Sequence, residues 1–387
     1  MSVFKVVDLF CGCGGLSWGF KSEGFQVVRG IDKNAIALKT FARNFPEASV
    51  LETDLSTYSP QDLLNSLQMK SGELDCLIGG PPCQGFSKNV PARERYQSDE
   101  RNQLIITFLN FVKVLKPKMV LIENVAEMKN AFEKTYTNQI QDTLKTLGYN
   151  VKIEKLLAAD YGVPQLRRRT FFWASLLDYP INIPKATHLH PDKNLDLFNL
   201  ECSREYVTVW SAISDLPSLE SGEGKNPCDY QKEPLTEYQQ LMRKETKLLY
   251  DHIARQLTQP QLDRVKHLEP GKGQGVEALP EHLRPRSGYS GAYARLIPNE
   301  PARTITRWVF HPGSGRFYHP FDNRVITIRE AARLQSFPDK FIFEGTYIQK
   351  SNQLGEAVPP LLAQAFAKSA KEALLSQCSN NVFHKVG

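Results

Sequence analysis

The chain has 387 residues, 41% of them hydrophobic, and 48 Lys and Arg against 42 Asp and Glu for a net charge of +6, so a real core and two domains are expected rather than a disordered tract. No run of roughly 18 apolar residues occurs, which excludes a hydrophobic membrane helix. The seven cysteines are odd in number without repeated C-x-x-C spacing, and Met1-Ser2-Val3-Phe4-Lys5 enters a strand pattern at once, so a disulfide framework, a zinc site and a signal peptide are not expected and a reducing cytoplasm is.

The first part alternates strand and helix signals. Val3 to Phe10 reads as a strand, Gly15 to Glu23 as a helix, Phe25 to Ile31 as a strand, and Asn34 to Asn44 as a helix that ends before Pro46. Ser49 to Leu51, Asp75 to Gly79, Met119 to Glu123 and Val151 to Leu157 read as further strands, with helices at Asn102 to Leu115 and Asn138 to Leu147. This alternation predicts an α/β fold with a doubly wound, mostly parallel sheet. Arg169 to Ser175 reads as one more strand, antiparallel at the sheet edge. After about Pro180 the alternation stops and long polar loops appear, which predicts a second, smaller, loop-rich domain. The expected division is 1–180 for the first domain, completed by 348–387, and 181–347 for the second. Helix signals return at Thr327 to Phe337 and Pro359 to Leu375.

The apolar run Asp75-Cys76-Leu77-Ile78-Gly79 is followed by Gly80-Pro81-Pro82-Cys83-Gln84-Gly85-Phe86-Ser87. The prolines end the strand abruptly and hold Cys83 on a stiff turn at its C-terminal edge, where open α/β sheets bind ligands. Cys83 is a candidate nucleophile there, or a small buried turn residue; the segment alone leaves both open. Asp8-Leu9-Phe10-Cys11-Gly12-Cys13-Gly14-Gly15-Leu16 joins the first strand to a helix, and its glycines permit a tight turn and close ligand approach. Asp32 closes the second strand, where a carboxylate can accept both hydrogen bonds of a ribose diol, and Asp54 follows the third, where one can take an exocyclic base amine. Together they suggest an adenosine pocket without a pyrophosphate, although either aspartate alone reads more simply as a cap. Glu123 ends the strand Met119 to Ile122 at the same sheet edge, and a carboxyl among apolar neighbours holds its proton more tightly. In an extended segment Arg167 and Arg169 share one face and Arg168 takes the other. Between Arg264 and Arg333 lie 12 Lys and Arg against 6 Asp and Glu, a basic zone suited to a polyanion such as nucleic acid.

These residues carry a resemblance. Asp8 to Leu16, Gly80 to Ser87, Asp99-Glu100-Arg101-Asn102, Glu123-Asn124-Val125, Gln165-Leu166-Arg167-Arg168-Arg169, Arg329 to Pro338 and Gly355-Glu356-Ala357-Val358-Pro359-Pro360 resemble, in order, the motifs of the DNA (cytosine-5)-methyltransferases of bacterial restriction-modification systems. Only about Pro180 to Arg295 lies outside them. One departure is Glu356, where the family usually has Asn after Gly; it puts that residue's role in the cofactor site in doubt.

The resemblance implies a Rossmann-like domain that binds S-adenosyl-L-methionine through Phe10, Gly12, Gly14, Leu16, Asp32, Asp54, Leu55, Pro82 and Leu104. It implies that the Cys83 thiolate attacks C6 of a cytosine, that Glu123 protonates N3, that Arg167 holds O2 and that Arg169 positions Glu123, with Asn124 ordering the turn. It makes Gln84 to Asp99 a loop closing over double-stranded DNA, with Gln84 filling the stack vacated by a flipped base and Ser87 on a phosphate. Arg101 belongs with these DNA contacts, and Arg303 and Arg307 of Arg303-Thr304-Ile305-Thr306-Arg307-Trp308 are candidate DNA-facing residues. A separately encoded cognate restriction endonuclease and a monomeric enzyme are the expected associations. The competing readings are a tRNA cytosine methyltransferase, against which stands the absence of Cys-Phe-Thr, and an inactive DNA-binding homologue, against which stand Cys83, Glu123, Arg167 and Arg169.

Overall fold

The computed structural model describes residues 3–82, 103–128, 135–190, 204–285 and 291–383. Seven of its strands form one sheet: β1 (Lys5–Leu9), β2 (Gln26–Asp32), β3 (Ser49–Glu52), β4 (Cys76–Gly79), β5 (Met119–Val125), β6 (Asn150–Leu157) and β7 (Arg168–Ser175), in the order β3-β2-β1-β4-β5-β7-β6. Pairing is parallel from β3 through β5, and a helix follows each of these strands: α1 (Gly15–Ser22), α2 (Ala35–Asn44), α3 (Pro60–Ser66), α4 (Gln103–Leu115) and α5 (Thr135–Thr146). The doubly wound α/β expectation therefore holds, and the C-terminal ends of β1 to β5 share one sheet edge.

The local causes are legible. In α4 the buried residues Ile105, Phe108, Leu109 and Val112 recur at helical spacing and cover Leu77, Val120 and Ile122 of the sheet. The Asn34 side chain accepts hydrogen bonds from the amides of Ile36 and Ala37, starting α2, and Ser59 followed by Pro60 starts α3, a helix absent from the sequence reading.

One expectation needs correction. β7 is antiparallel, as expected, but it lies between β5 and β6 rather than at the edge. Phe171, Phe172, Trp173 and Ala174 are all fully buried, the signature of a strand covered on both faces, whereas β6 carries Lys152, Glu154 and Lys155 and supplies the edge.

The chain divides into two compact units, residues 1–157, 168–185 and 360–387 forming the first and 158–167 and 186–359 the second. The first holds the sheet and the long helix α11 (Pro360–Phe383), which lies so close to α1 that a Cβ on Gly19 would fall 2.5 Å from Ala363 Cβ. The second contains α6 (Val209–Ile213), α7 (Glu237–Arg243), α8 (Gln259–His267), α9 (Ile328–Leu334) and α10 (Tyr347–Glu356) among long irregular connections. Residues 348–359, expected to complete the first domain, cluster with the second unit because the end of α10 lies flush against the Thr306–Arg307 backbone. Thr327 accepts from the Glu330 amide while Glu330 accepts from the Thr327 amide, and Thr346 and Gln349 repeat the arrangement. No described helix is long and apolar enough to cross a membrane.

Candidate active site

Chain reversal after β1 builds the first part of the site. Phe10, Gly12 and Gly14 all have left-handed φ, at 59°, 52° and 97°. The loop is stitched to the end of β2: Cys11 N donates to Ile31 O at 3.0 Å and Gly12 N to the Asp32 carboxylate at 2.8 Å. The two glycines serve different ends. A Cβ on Gly14 would fall 2.5 Å from the Phe45 ring, whereas one on Gly12 would meet nothing within 4 Å. The open side of the loop is therefore at Gly12, where a ligand can approach backbone directly. Leu16 is buried in α1 and Leu55 is buried after β3, while Leu104 near the start of α4 and Pro82 after β4 are half-buried.

Asp32 and Asp54 both act as the local caps that the sequence allowed. Asp32 accepts from the Gly12 and Asn34 amides, at 2.8 and 2.9 Å, so it orders the loop and the entry to α2. Exposed Asp54 takes the Ser56 amide and hydroxyl on one oxygen, at 2.9 and 2.7 Å, and these bonds hold its carboxyl below the usual range. Its other oxygen accepts no hydrogen bond among the described residues.

The second part forms at the end of β5. The register sets Glu123 opposite Phe171 and Val125 opposite Arg169, so Glu123 and Arg169 are diagonal neighbours on one face. Their side chains pair at 2.8 Å and are 11% and 17% exposed. Beside the apolar neighbours expected of Glu123 there is thus a guanidinium, that of Arg169. Asn124 donates to Pro81 O at 3.2 Å and accepts from the Val125 amide at 2.8 Å, tying the end of β5 to the turn after β4. A Cβ on Gly80 would fall 3.0 Å from Glu123 Oε2, so the carboxylate rests against backbone at the head of the Gly-Pro-Pro turn. Cys83, Gln84, Ser87 and Arg101, and the loop 84–99, lie outside the described residues.

Arg167 belongs to the second unit. It is 1% exposed and donates to Ile305 O at 3.1 Å and Gly355 O at 2.9 Å. Arg303 and Arg307 are exposed, and Arg307 pairs with Glu356 at 3.3 Å. The basic zone is narrower than its composition implies, because four of its arginines, Arg295, Arg324, Arg329 and Arg333, have no exposed surface. Arg324 grips Glu330 through two 2.8 Å bonds, Arg333 bonds Asp339 and Asp215, and Arg329 caps the carbonyls of Tyr250, Pro338 and Phe341. Burial would raise the Glu330 pKa, but the Arg324 guanidinium holds it far below the usual carboxylate range. These cations organise the unit and are not available to a polyanion.

Asp8 has no counterpart among the sequence-based candidates. It is 1% exposed and takes the Ser17 hydroxyl on one oxygen at 2.6 Å, bridging β1 to α1 beneath the glycine loop. Burial pushes its pKa up to about 8 in spite of that bond. An aspartate two residues before a left-handed turn, with a serine nine residues on, was the available signal. The neighbouring Cys11 thiol is pushed up by burial and by Asp8 and Asp32, which makes it a wall residue rather than a nucleophile.

A family model described as C-5 cytosine-specific DNA methylase matches residues 4–372. Among curated relatives, the Type II methyltransferase M.DdeI of Desulfomicrobium norvegicum is 38% identical over 385 residues, covering 94% of this chain and 88% of that protein. M1.HphI of Haemophilus parahaemolyticus is 34% identical, covering 97% and 87%. Among solved structures, a prophage-encoded E. coli protein described as a putative DNA modification methyltransferase matches with a TM-score of 0.75 at 26% identity, covering 96% of this chain and 99% of that one. A methyltransferase of Entamoeba histolytica, with a TM-score of 0.59 at 16% identity over 97% and 99% of the two chains, shares the fold. With the motifs in order along a doubly wound sheet and a family match over nearly its full length, the chain belongs to the C-5 cytosine-specific DNA methylases.

Proposed function

We propose that the chain transfers a methyl group from S-adenosyl-L-methionine to C5 of a flipped-out cytosine in double-stranded DNA, as the modification enzyme of a restriction-modification system. The observation that carries this reading is the end of β5: Glu123 paired with Arg169 at 2.8 Å, strapped through Asn124 to the turn that leads into Cys83.

The donor fits the first unit. The loop side of Gly12 is open, and Asp32 and Asp54 present carboxylate oxygens at consecutive strand ends. Phe10, Gly12, Gly14, Leu16, Asp32, Asp54, Leu55, Pro82 and Leu104 would hold it, and when bound it supplies a methyl group on a sulfonium, activated for transfer to carbon. Cytosine C5 is a weak nucleophile until the Cys83 thiolate adds to C6 and turns the ring into an enamine. Glu123 delivers a proton to N3 as that bond forms, keeping negative charge off the ring. Arg169 orients Glu123 through the observed pair, and Arg167 serves cytosine O2. Loss of the C5 proton then expels Cys83. Gln84, Ser87, Arg101, Arg303 and Arg307 are the DNA contacts, with target recognition assigned to the second unit and the chemistry mainly to the first. The enzyme acts as a cytoplasmic monomer beside a separately encoded endonuclease.

Duplex DNA carrying 5-fluorocytosine tests the central step, because fluorine at C5 cannot leave as a proton and the adduct persists. Wild type with the donor should give a covalent, gel-shifted complex and Cys83→Ala none. An unshifted wild type would overturn the mechanism. Glu123→Gln should slow methyl transfer far more than it weakens donor binding, and equal losses of both would remove Glu123 from N3.

A further inference from the structure

Few large aromatic side chains on the described surface are as exposed as Trp308, at 56%. Its backbone is anchored on both sides. The Ile305 amide donates to Gln165 at 2.8 Å, and Arg167 donates to the Ile305 carbonyl at 3.1 Å. Ser351 donates to Arg307 O at 2.6 Å, and a Cβ on Gly355 would fall 2.2 Å from the Arg307 amide nitrogen. A turn then closes from Val309 N to Thr306 O at 3.2 Å, and Trp308 O accepts from His311 N at 2.9 Å and Ser314 Oγ at 2.6 Å. The indole leans on Phe310, with ring centroids 5.6 Å apart, and Arg255 stands 5.1 Å from that ring while donating to Phe310 O at 2.9 Å.

A rigid backbone that leaves an indole in water forgoes apolar burial for no gain in the folded chain alone. Its surroundings indicate what covers it. Arg303 and Arg307 on the same segment are exposed, and Arg255 is half-buried, so the turn is positively flanked. The charge beside the indole is blunted, however: Arg307 faces Glu356 at 3.3 Å, at the position where the family's usual Asn is replaced. A phosphate clamp would not keep a carboxylate on its cation. An aromatic plane with cations around it and one of them offset suits the edge or face of a base instead.

We infer that Trp308 contacts DNA through its ring, by stacking on or wedging beside a base or sugar, and that Glu356 positions Arg307 next to it rather than leaving Arg307 to grip a phosphate. The inference rests on DNA being the substrate. Tritiated methyl transfer into plasmid DNA, measured over a range of salt, tests it. Stacking of about 1–3 kcal/mol predicts that Trp308→Ala lowers kcat/KM for DNA by about 5- to 150-fold, with the KM for the donor and the thermal midpoint unchanged. Trp308→Phe should recover most of the loss, Trp308→Leu little of it, and the slope of log kcat/KM against log salt should stay at the wild-type value in all three. Glu356→Gln should steepen that slope by about one charge as Arg307 is released to phosphate. Should wild type transfer no methyl to DNA, the enzymatic reading itself fails. If wild type is active and Trp308→Ala matches it, or Trp308→Leu fully restores it, ring contact is refuted. An unchanged slope in Glu356→Gln refutes the positioning role.

Discussion

Gly12 and Gly14 sit two residues apart in one loop, and the structure predicts opposite consequences for the same substitution. At Gly12 an added methyl meets nothing within 4 Å, and φ is 52°, inside the left-handed well. Gly12→Ala should therefore lose only the left-handed penalty, about 1–2 kcal/mol, which lowers the melting midpoint by roughly 2–8 °C for a domain of this size. At Gly14, φ is 97° and the methyl would lie 2.5 Å from Phe45 and 2.9 Å from Phe41. Those rings are fully buried and stacked with centroids 4.4 Å apart, so neither can swing aside. Overpacking of about 1–3 kcal/mol adds to the backbone strain, giving roughly 2–5 kcal/mol in all. Calorimetric melting should rank Gly14→Ala well below Gly12→Ala. Titration of folded protein with S-adenosyl-L-methionine should show the reverse emphasis, Gly12→Ala weakening binding about tenfold or more because its methyl occupies the ligand's side of the loop. Equal melting midpoints would refute the packing assigned to Gly14, and wild-type donor affinity in Gly12→Ala would refute the placement of the donor.

Asp8 gives a pH prediction. Its folded pKa is raised to about 8, so between about pH 4 and pH 8 the folded state holds a proton that the unfolded chain has lost, and stability falls as pH rises through that window. Asp8→Asn should flatten this dependence, standing closer to or above wild type at pH 8 than at pH 5 in urea unfolding; parallel curves would show that Asp8 is ionised throughout. Arg333→Ala should strip the shared cation from buried Asp215 and Asp339 and lose about 3–5 kcal/mol by the same assay, and a loss below about 1 kcal/mol would mean that water reaches both carboxylates.

Helical and strand periodicity sufficed for β1, β4, β5 and α4, which bury continuous or helically spaced apolar sets, but not for α3. The placement of β7 was less accessible. Its run Phe171 to Ala174 signals burial on both faces, but β6 and β7 form an antiparallel pair that inserts its second strand next to β5, a choice made by pairing rather than by local propensity. The helices of the second unit are short and their apolar periodicity is weak: α9 was expected within Thr327 to Phe337, whereas α10, opened by the Thr346 and Gln349 capping box, was not expected as a helix of its own.

The motifs and their order pointed to the family by themselves, since each is a short contiguous run that can be read without the fold. What the linear sequence could not allot was charge. Arg303 and Arg324 are the same residue in the same basic stretch, but one is exposed while the other is buried between Glu330 and Asp322. A guanidinium's task depends on whether its counter-ion is water, a carboxylate or a ligand, and residues such as Asp215, 118 positions from Arg333, are brought to it only by the tertiary fold.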